Sequence, residues 1–209
     1  MESFLSKLQD ITTFVFDVDG VLTDGSVFVS DSGEQSRAFN IKDGYALQLA
    51  VKCGYNVCAI SGSRSKSAIH RLNSLGIKDG YALQLAVKCG YNVVTVSGSR
   101  SKAQMHRLNS LGVRDVYMGV HTKATKFKVY LEEKHIRTTH VLYMGDDIPD
   151  LAVMKIAGLS VCPADAVEEI KALSAYVSPF GGGKGCARDV IEKVLKIQGK
   201  WMSEEAYSW

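Results

Sequence analysis

The chain has 209 residues, of which 46% are hydrophobic and 22% are charged, and these values exclude collagen-like, low-complexity and natively disordered proteins. Its 25 Lys and Arg against 22 Asp and Glu give a formal net charge of +3, which is too small to indicate a nucleic-acid or membrane partner. The first residues lack a signal-peptide pattern, and no apolar run approaches the roughly 18 residues of a membrane span, so we expect a cytoplasmic protein.

The first predicted elements are a buried strand and a small hairpin. Apolar residues over Thr12–Asp17 predict the strand. Ser26–Ser30 and Gln35–Asn40 predict the two arms of the hairpin, which turns at the letters DSG between them.

A repeat of 36 residues follows the hairpin. Residues 42–77 and 78–113 are identical at 29 of 36 positions, which is too similar for an ancient structural repeat. Stacked solenoids need at least about three repeats, so we interpret the two copies as a tandem duplication inside one α/β domain. Each copy predicts a helix, a strand and a second helix: Asp43–Lys52, Asn56–Ile60 and 64–74 in copy one, and 79–88, 92–96 and 100–110 in copy two.

Strands and helices alternate in the rest of the chain. Such alternation is typical of a parallel sheet covered by helices on both faces, whose ligand crevice lies beyond the carboxyl ends of the strands. The predicted strands are Asp115–Met118, His140–Met144, Ser160–Cys162 and Ala175–Val177, and the predicted helices are Ala124–Lys134, Pro149–Ala157, Ala166–Leu173 and Ala187–Gln198.

Acidic residues follow two of the predicted strands. Asp17 and Asp19 stand two residues apart at the end of the first strand, so that their side chains point to the same side, and Asp146 and Asp147 follow a later strand. Carboxylates gathered at one edge repel each other unless a cation lies between them, and hard oxygen ligands favour Mg²⁺. Taken singly, the same residues are also typical of turns and helix caps. Taken together, they predict a magnesium site.

Four segments resemble motifs of the haloacid dehalogenase (HAD) superfamily of phosphotransferases. FDVDGVLTDG at 16–25 resembles motif I, SGSR resembles motif II, Lys123 matches the motif III lysine, and MGDDIPDL at 144–151 resembles motif IV. From 13 to 201 the chain resembles the 3-deoxy-D-manno-octulosonate 8-phosphate phosphatase family, and without one copy of the repeat its 173 residues match the length expected for that family. The resemblance implies a single HAD-like domain, an α/β fold with a three-layer, Rossmann-like parallel sheet, in which a hairpin at about 24–40 replaces a large cap.

The resemblance also implies roles for the acidic residues. Asp17 is expected to be the nucleophile that forms an aspartyl-phosphate, and Asp19 the general acid and base. Mg²⁺ is expected to be held by the Asp17 carboxylate, the Asp19 backbone carbonyl and Asp146. The further residues that it implies are Asp147 and Asp150 behind these ligands, and Lys123 as the cation beside the transferring phosphoryl group.

The repeat provides two candidates for motif II, the phosphate-binding hydroxyl and backbone N–H groups. We favour Ser61 and Gly62 of copy one, because the hairpin ties that copy to the strand of Asp17. The alternative is Ser97 and Gly98 of copy two, which stand at the family-like distance from the motif III lysine. Arg64 or Arg100, a few residues after motif II, is a candidate to bind the carboxylate of the sugar acid, although an exposed helical arginine fits the same pattern. Lys184 in the Gly-rich tail is a further candidate for the sugar, with a purely structural turn as its alternative.

The function that the resemblance implies is Mg²⁺-dependent hydrolysis of 3-deoxy-D-manno-octulosonate 8-phosphate, a step of lipopolysaccharide precursor synthesis. It also implies a homotetramer, in which a Gly-rich C-terminal tail at 179–209 reaches a neighbouring subunit. Two alternatives stay open: a phosphatase for a nine-carbon sugar-acid 9-phosphate, and a catalytically silent assembly module. The intact aspartates argue against the silent module, whereas the repeat argues for it.

Overall fold

A seven-stranded sheet forms the centre of the computed structural model, which describes residues 4–29, 31, 35–36, 38–60, 93–97, 115–118 and 122–202. Its strands are β1 (Thr13–Asp17), β4 (Asn56–Ile60), β5 (Val93–Ser97), β6 (Asp115–Met118), β7 (Val141–Met144), β8 (Leu159–Cys162) and β9 (Tyr176–Val177). Their order is β6-β5-β4-β1-β7-β8-β9, and every neighbouring pair is parallel. The predicted parallel sheet is therefore confirmed.

The helices connect these strands and cover the sheet. They are α1 (Phe4–Lys7), α2 (Ile41–Lys52), α3 (Lys123–Glu133), α4 (Leu151–Met154), α5 (Glu168–Leu173) and α6 (Cys186–Ile197), with 3₁₀ turns at Leu8–Asp10, Thr138–His140 and Ile148–Asp150. Within the described ranges, none of the helices combines the length and the hydropathy that crossing a bilayer requires.

The sheet is buried on both faces because β1 and β7 carry apolar side chains on both sides. Phe14 and Phe16 pack with residues of α2 and α6 on one face, whereas Val15 and Tyr143 pack with residues of α3, α4 and α5 on the other. Full burial of one such side chain stabilises the fold by about 1.5–3 kcal/mol. These contacts produce the three-layer α/β architecture that the family resemblance implies.

Helices α2 to α6 all differ from their predicted bounds by at least one residue, most visibly α2 and α4. Helix α2 begins at Ile41, because the side chain of Asn40 accepts the backbone N–H of Lys42 at 2.8 Å and caps the first turn. The helix predicted at Pro149–Ala157 is a 3₁₀ turn followed by only four residues of α-helix. After it, Gly158 packs on the backbone near Thr138, where a Cβ would lie 2.6 Å from the carbonyl oxygen.

The hairpin between β1 and α2 is confirmed, but it is shorter than predicted. Its strands β2 (Phe28–Val29) and β3 (Gln35–Ser36) pair antiparallel, and an isolated bridge between Thr23 and Phe39 closes its base.

The strand order separates the two copies of the repeat. Strand β4, from copy one, pairs with β1, whereas β5, from copy two, pairs with β4 and β6. Because neighbouring strands lie about 4.8 Å apart, the strand of copy two is about 10 Å from β1. The helices predicted at 64–74, 79–88 and 100–110 lie outside the described residues.

Candidate active site

The turn after β1 meets the end of β7. Asp17 is the last residue of β1 and is buried, and the turn Val18–Leu22 follows it directly. Gly20 has a φ of +93°, and a Cβ at this position would lie 2.0 Å from Oδ2 of Asp146. Only glycine allows both this conformation and this close approach, so it lets the two acidic segments come together.

Lys123, the first residue of α3, forms ion pairs with two of the carboxylates. Its Nζ lies 2.9 Å from Oδ1 of Asp17 and 2.7 Å from Oδ1 of Asp150, and its side chain is only 8% exposed. Burial lowers the pKa of the Lys123 ammonium, but the Asp17 and Asp150 carboxylates outweigh burial and raise that pKa above its ordinary value. The lysine is therefore charged at neutral pH and neutralises part of the negative charge of the cluster.

The carboxylate of Asp150 accepts hydrogen bonds from three groups of the cluster. Its Oδ1 accepts the Tyr143 hydroxyl at 2.6 Å as well as Lys123, and its Oδ2 accepts the backbone N–H of Asp146 at 3.3 Å. Tyr143 is absent from the residues expected from the sequence. The signal that could have found it is a hydroxyl in an otherwise apolar buried strand, two residues before the glycine of motif IV, since a buried hydroxyl requires a partner.

The acidic cluster fits a bound cation. Oxygens of Asp17, Asp146 and Asp150 all lie within 4.8 Å of one another. Both oxygens of Asp150 accept hydrogen bonds, whereas Oδ1 of Asp146 is buried and has no hydrogen-bond partner among the described residues. Asp17 and Asp146 are therefore the carboxylates best placed to hold Mg²⁺, in agreement with the expectation from the sequence.

The same two effects raise the pKa values of the Asp17 and Asp146 carboxyls. Burial, followed by the charge of Asp150, raises the pKa of Asp17 well above its ordinary value, although Lys123 opposes this. The same two effects raise the pKa of Asp146 to about 7. Each carboxylate is thus destabilised by burial and by its neighbours, and a divalent cation at this place would relieve both.

The other expected site residues are distributed as follows. Asp19 lies in the turn Val18–Leu22 and is half-buried, and its role stays a prediction. Asp147 is exposed, and its carboxylate caps the 3₁₀ turn by accepting the N–H of Ile148 at 2.8 Å. Ser97 ends β5, but its side chain is outside the description. The expected residues that lie outside the described ranges altogether are Ser61, Gly62, Arg64, Gly98 and Arg100.

The Gly-rich segment packs on its own chain. The N–H of Gly183 donates to the carbonyl oxygen of Val21 at 2.8 Å, and a Cβ at Gly182 would lie 2.0 Å from the oxygen of Gly20. The first part of the predicted tail at 179–209 therefore contacts the turn after β1 of the same chain, and α6 after it is a core helix. Its reach to a neighbouring subunit stays a prediction. Lys184 is exposed in the Gly-rich segment.

Comparisons with known proteins agree with this geometry. A family model described as haloacid dehalogenase-like hydrolase matches residues 99–188. The 3-deoxy-D-manno-octulosonate 8-phosphate phosphatase of Salmonella typhi is 31% identical over 196 residues, which are 94% of this chain and 85% of that protein.

Solved structures resemble the whole fold. The 3-deoxy-D-manno-octulosonate 8-phosphate phosphatase of Yersinia pestis has a TM-score of 0.69 at 28% identity, over 94% of this chain and 86% of that one. The phosphatase of the same name from Moraxella catarrhalis, solved with a magnesium ion, a phosphate ion and a KDO molecule, has a TM-score of 0.68 at 27% identity, over 94% and 92% of the two chains.

The raised pKa of Asp146 predicts how stability depends on pH without metal. Between about pH 4 and 7 the folded state keeps a proton that the unfolded state loses, so this group makes the fold less stable as the pH rises. In EDTA, Asp146→Asn should therefore melt at a higher temperature than the wild type at pH 8, and the difference should shrink towards pH 4. Mg²⁺ should raise the melting temperature of the wild type more than that of the variant. Thermal melts by circular dichroism measure this, with the exposed Asp10→Asn as control, and a pH-independent difference would contradict it.

Proposed function

The chain belongs to the 3-deoxy-D-manno-octulosonate 8-phosphate phosphatase family of HAD-like hydrolases, and we propose that it hydrolyses this sugar phosphate to the free sugar acid and phosphate. It is a phosphatase with a Mg²⁺ cofactor. The observation that carries the proposal is the contact of Lys123 with Asp17 beside the Asp146 carboxylate, at the carboxyl edge of the sheet. The magnesium, phosphate and KDO in the Moraxella catarrhalis phosphatase support the same substrate here.

Asp17 acts as the nucleophile in this proposal. Lys123 holds one carboxylate oxygen of Asp17, and the other attacks phosphorus, forming a bond to it while the bond between phosphorus and the sugar oxygen breaks. Asp19, two residues further on, gives its proton to the departing sugar oxygen. It then takes a proton from the water that hydrolyses the aspartyl-phosphate, which releases phosphate and regenerates Asp17.

Charge stabilisation is the second part of the mechanism. Phosphoryl transfer spreads negative charge over three oxygens, and the buried ammonium of Lys123 lies where it can attract them. Asp17, the backbone carbonyl of Asp19 and Asp146 would hold Mg²⁺, which supplies Lewis-acid stabilisation of the phosphoryl oxygens when bound. Asp150 and the buried hydroxyl of Tyr143 keep Lys123 directed at Asp17.

Copy one of the repeat supplies motif II in this proposal. The pairing of β4 with β1 supports it, because Ser61 and Gly62 follow β4 immediately, whereas Ser97 and Gly98 stand at the end of a strand one position further from Asp17. The residues proposed to bind the sugar acid are Arg64 of the same copy, with Arg100 as its counterpart, and Lys184.

The assembly that we propose is a homotetramer in the cytoplasm. Large apolar side chains are exposed near the carboxyl edge of the sheet, where a neighbouring subunit would cover them. They are Phe28 on the hairpin, Ile41 at the start of α2, Ile148 after β7 and Phe180 before the Gly-rich loop. Cysteines that are free in the described residues, such as Cys58 and Cys162, fit a reducing compartment.

Removal of the nucleophile should abolish phosphate release. Asp17→Asn keeps the size of the side chain but cannot attack phosphorus, so the rate should fall by at least about 10³-fold. Phosphate release is measured from 3-deoxy-D-manno-octulosonate 8-phosphate and a nine-carbon 9-phosphate, with Mg²⁺ or EDTA, and Asp10→Asn serves as the control. Equal rates for wild type and Asp17→Asn would contradict the mechanism. No release by the folded wild type from either substrate would favour a silent assembly module.

The repeat supplies a matched pair of variants for motif II. Ser61→Ala should lower kcat by about 10- to 100-fold, because it removes the hydroxyl proposed to bind the transferring phosphoryl group. Ser97→Ala, in the same SGSRSK sequence of copy two, should leave kcat close to that of the wild type. The reverse order of effects would assign motif II to copy two instead.

Loss of an apolar contact should weaken the tetramer. Phe28→Ser removes a 61% exposed aromatic ring from the hairpin. The molar mass of this variant, measured by light scattering, should fall below that of the wild type. Leu5→Ser removes a similarly exposed side chain, 59% exposed, before β1 and should leave the mass unchanged. A monomeric wild type at micromolar concentration would contradict the tetramer.

A further inference from the structure

A buried carboxylate outside the reaction centre joins α2 to the start of α6. Asp43 is only 1% exposed, and its oxygens accept the backbone N–H groups of Gly185 at 2.9 Å and Arg188 at 2.7 Å. The first N–H groups of a helix have no partner within the helix. Gly185 occupies the N-cap position of α6 without a side chain that could accept them, so Asp43 caps this helix from 142 residues away.

The charge of Asp43 matters for this contact. Burial raises the pKa of the Asp43 carboxyl, and the N–H groups of Arg188 and Gly185 partly reverse this effect. A carboxylate at a helix N-terminus is also stabilised by the helix dipole. An asparagine of the same size would offer one acceptor and one donor group, and it would satisfy only one of the two N–H groups.

The segment that Asp43 holds lies directly on the turn after β1. Gly183 donates its N–H to the carbonyl oxygen of Val21 at 2.8 Å, and the thiol of Cys186 approaches the same oxygen at 3.2 Å. At Gly182, a Cβ would lie 2.0 Å from the carbonyl oxygen of Gly20. Loop and turn are therefore in backbone contact without intervening side chains, and a displacement of one displaces the other.

We propose that Asp43 is a positioning residue for phosphoryl transfer. By fixing the start of α6 and the loop 181–185, it holds the turn Val18–Leu22 in place, and with that turn the carboxyl of Asp19. This inference rests on the proposed function, in which Asp19 protonates the departing oxygen. A sugar alkoxide is a poor leaving group that depends on this proton, whereas the nitrophenolate of p-nitrophenyl phosphate depends on it far less.

The repeat again supplies a matched control. Asp79 stands in copy two within the same sixteen letters, KDGYALQLAVKCGYNV, that surround Asp43 in copy one. Asp43→Asn should lower kcat for the sugar phosphate by about 10- to 100-fold with little change in KM, because the side chain acts through the position of another group. Its kcat for p-nitrophenyl phosphate should fall several-fold less, and Asp79→Asn should leave both rates close to wild type.

The ratio of the two rates separates positioning from mere stabilisation. A smaller folded fraction would lower both rates in the same proportion, and that result, or equal effects of the two variants, would overturn the inference. Amide hydrogen exchange at Gly183 provides a readout without activity. Exchange should be faster in Asp43→Asn than in Asp79→Asn, and equal protection would overturn the inference. If the wild type hydrolyses neither substrate, the proposed function fails, while the exchange experiment still decides on Asp43.

Discussion

The structure is organised around an excess of buried negative charge. Asp17, Asp146 and Asp150 approach each other within 4.8 Å, and one ammonium group, that of Lys123, lies among them. Three carboxylates and one ammonium leave a charge that is costly in a buried place and that a divalent cation can balance. The surrounding features serve this arrangement: Gly20 allows the close approach, and Tyr143 and the Asp146 N–H bind the oxygens of Asp150.

Much of this arrangement could be predicted from the sequence, because its information is local. An apolar strand that ends in Asp17, and a second one that Asp146 follows by two residues, specify both the sheet edge and the candidate metal ligands. The capping of α6 by Asp43 escaped prediction because it joins residues 142 positions apart, and it depends on how α2 and α6 pack together. The hydrogen bond from Tyr143 to Asp150 spans only seven residues, and the polar hydroxyl in an apolar strand was its one local signal. The sequence gives only a preference for the copy that supplies motif II, since the two copies are nearly identical, and the pairing of β4 with β1 supports copy one.

The additional strand leaves the contact between Lys123 and Asp17 in place for a geometric reason. Strand β5 enters between β4 and β6, whereas Asp17 ends β1 and Asp146 follows β7, on the other side of β4. Although β6 stands three positions from β1, the helix after it still brings Lys123 to 2.9 Å from Asp17. A parallel sheet can thus accept another strand on one flank while the neighbours of its central strand remain the same.

Strand β5 also places β1 at the centre of the sheet. Among the described strands, β1 has three on either side, so both of its neighbours are themselves interior strands. The backbone amides of Phe14 and Phe16 are then shielded from solvent by the full width of the sheet and by helices on both faces. Amides of central strands are generally the most protected, so we expect those of Phe14 and Phe16 to be among the last to exchange. Asp17, the proposed nucleophile, therefore lies at the end of a strand that we expect to open late, so that partial unfolding of the periphery leaves its backbone in place.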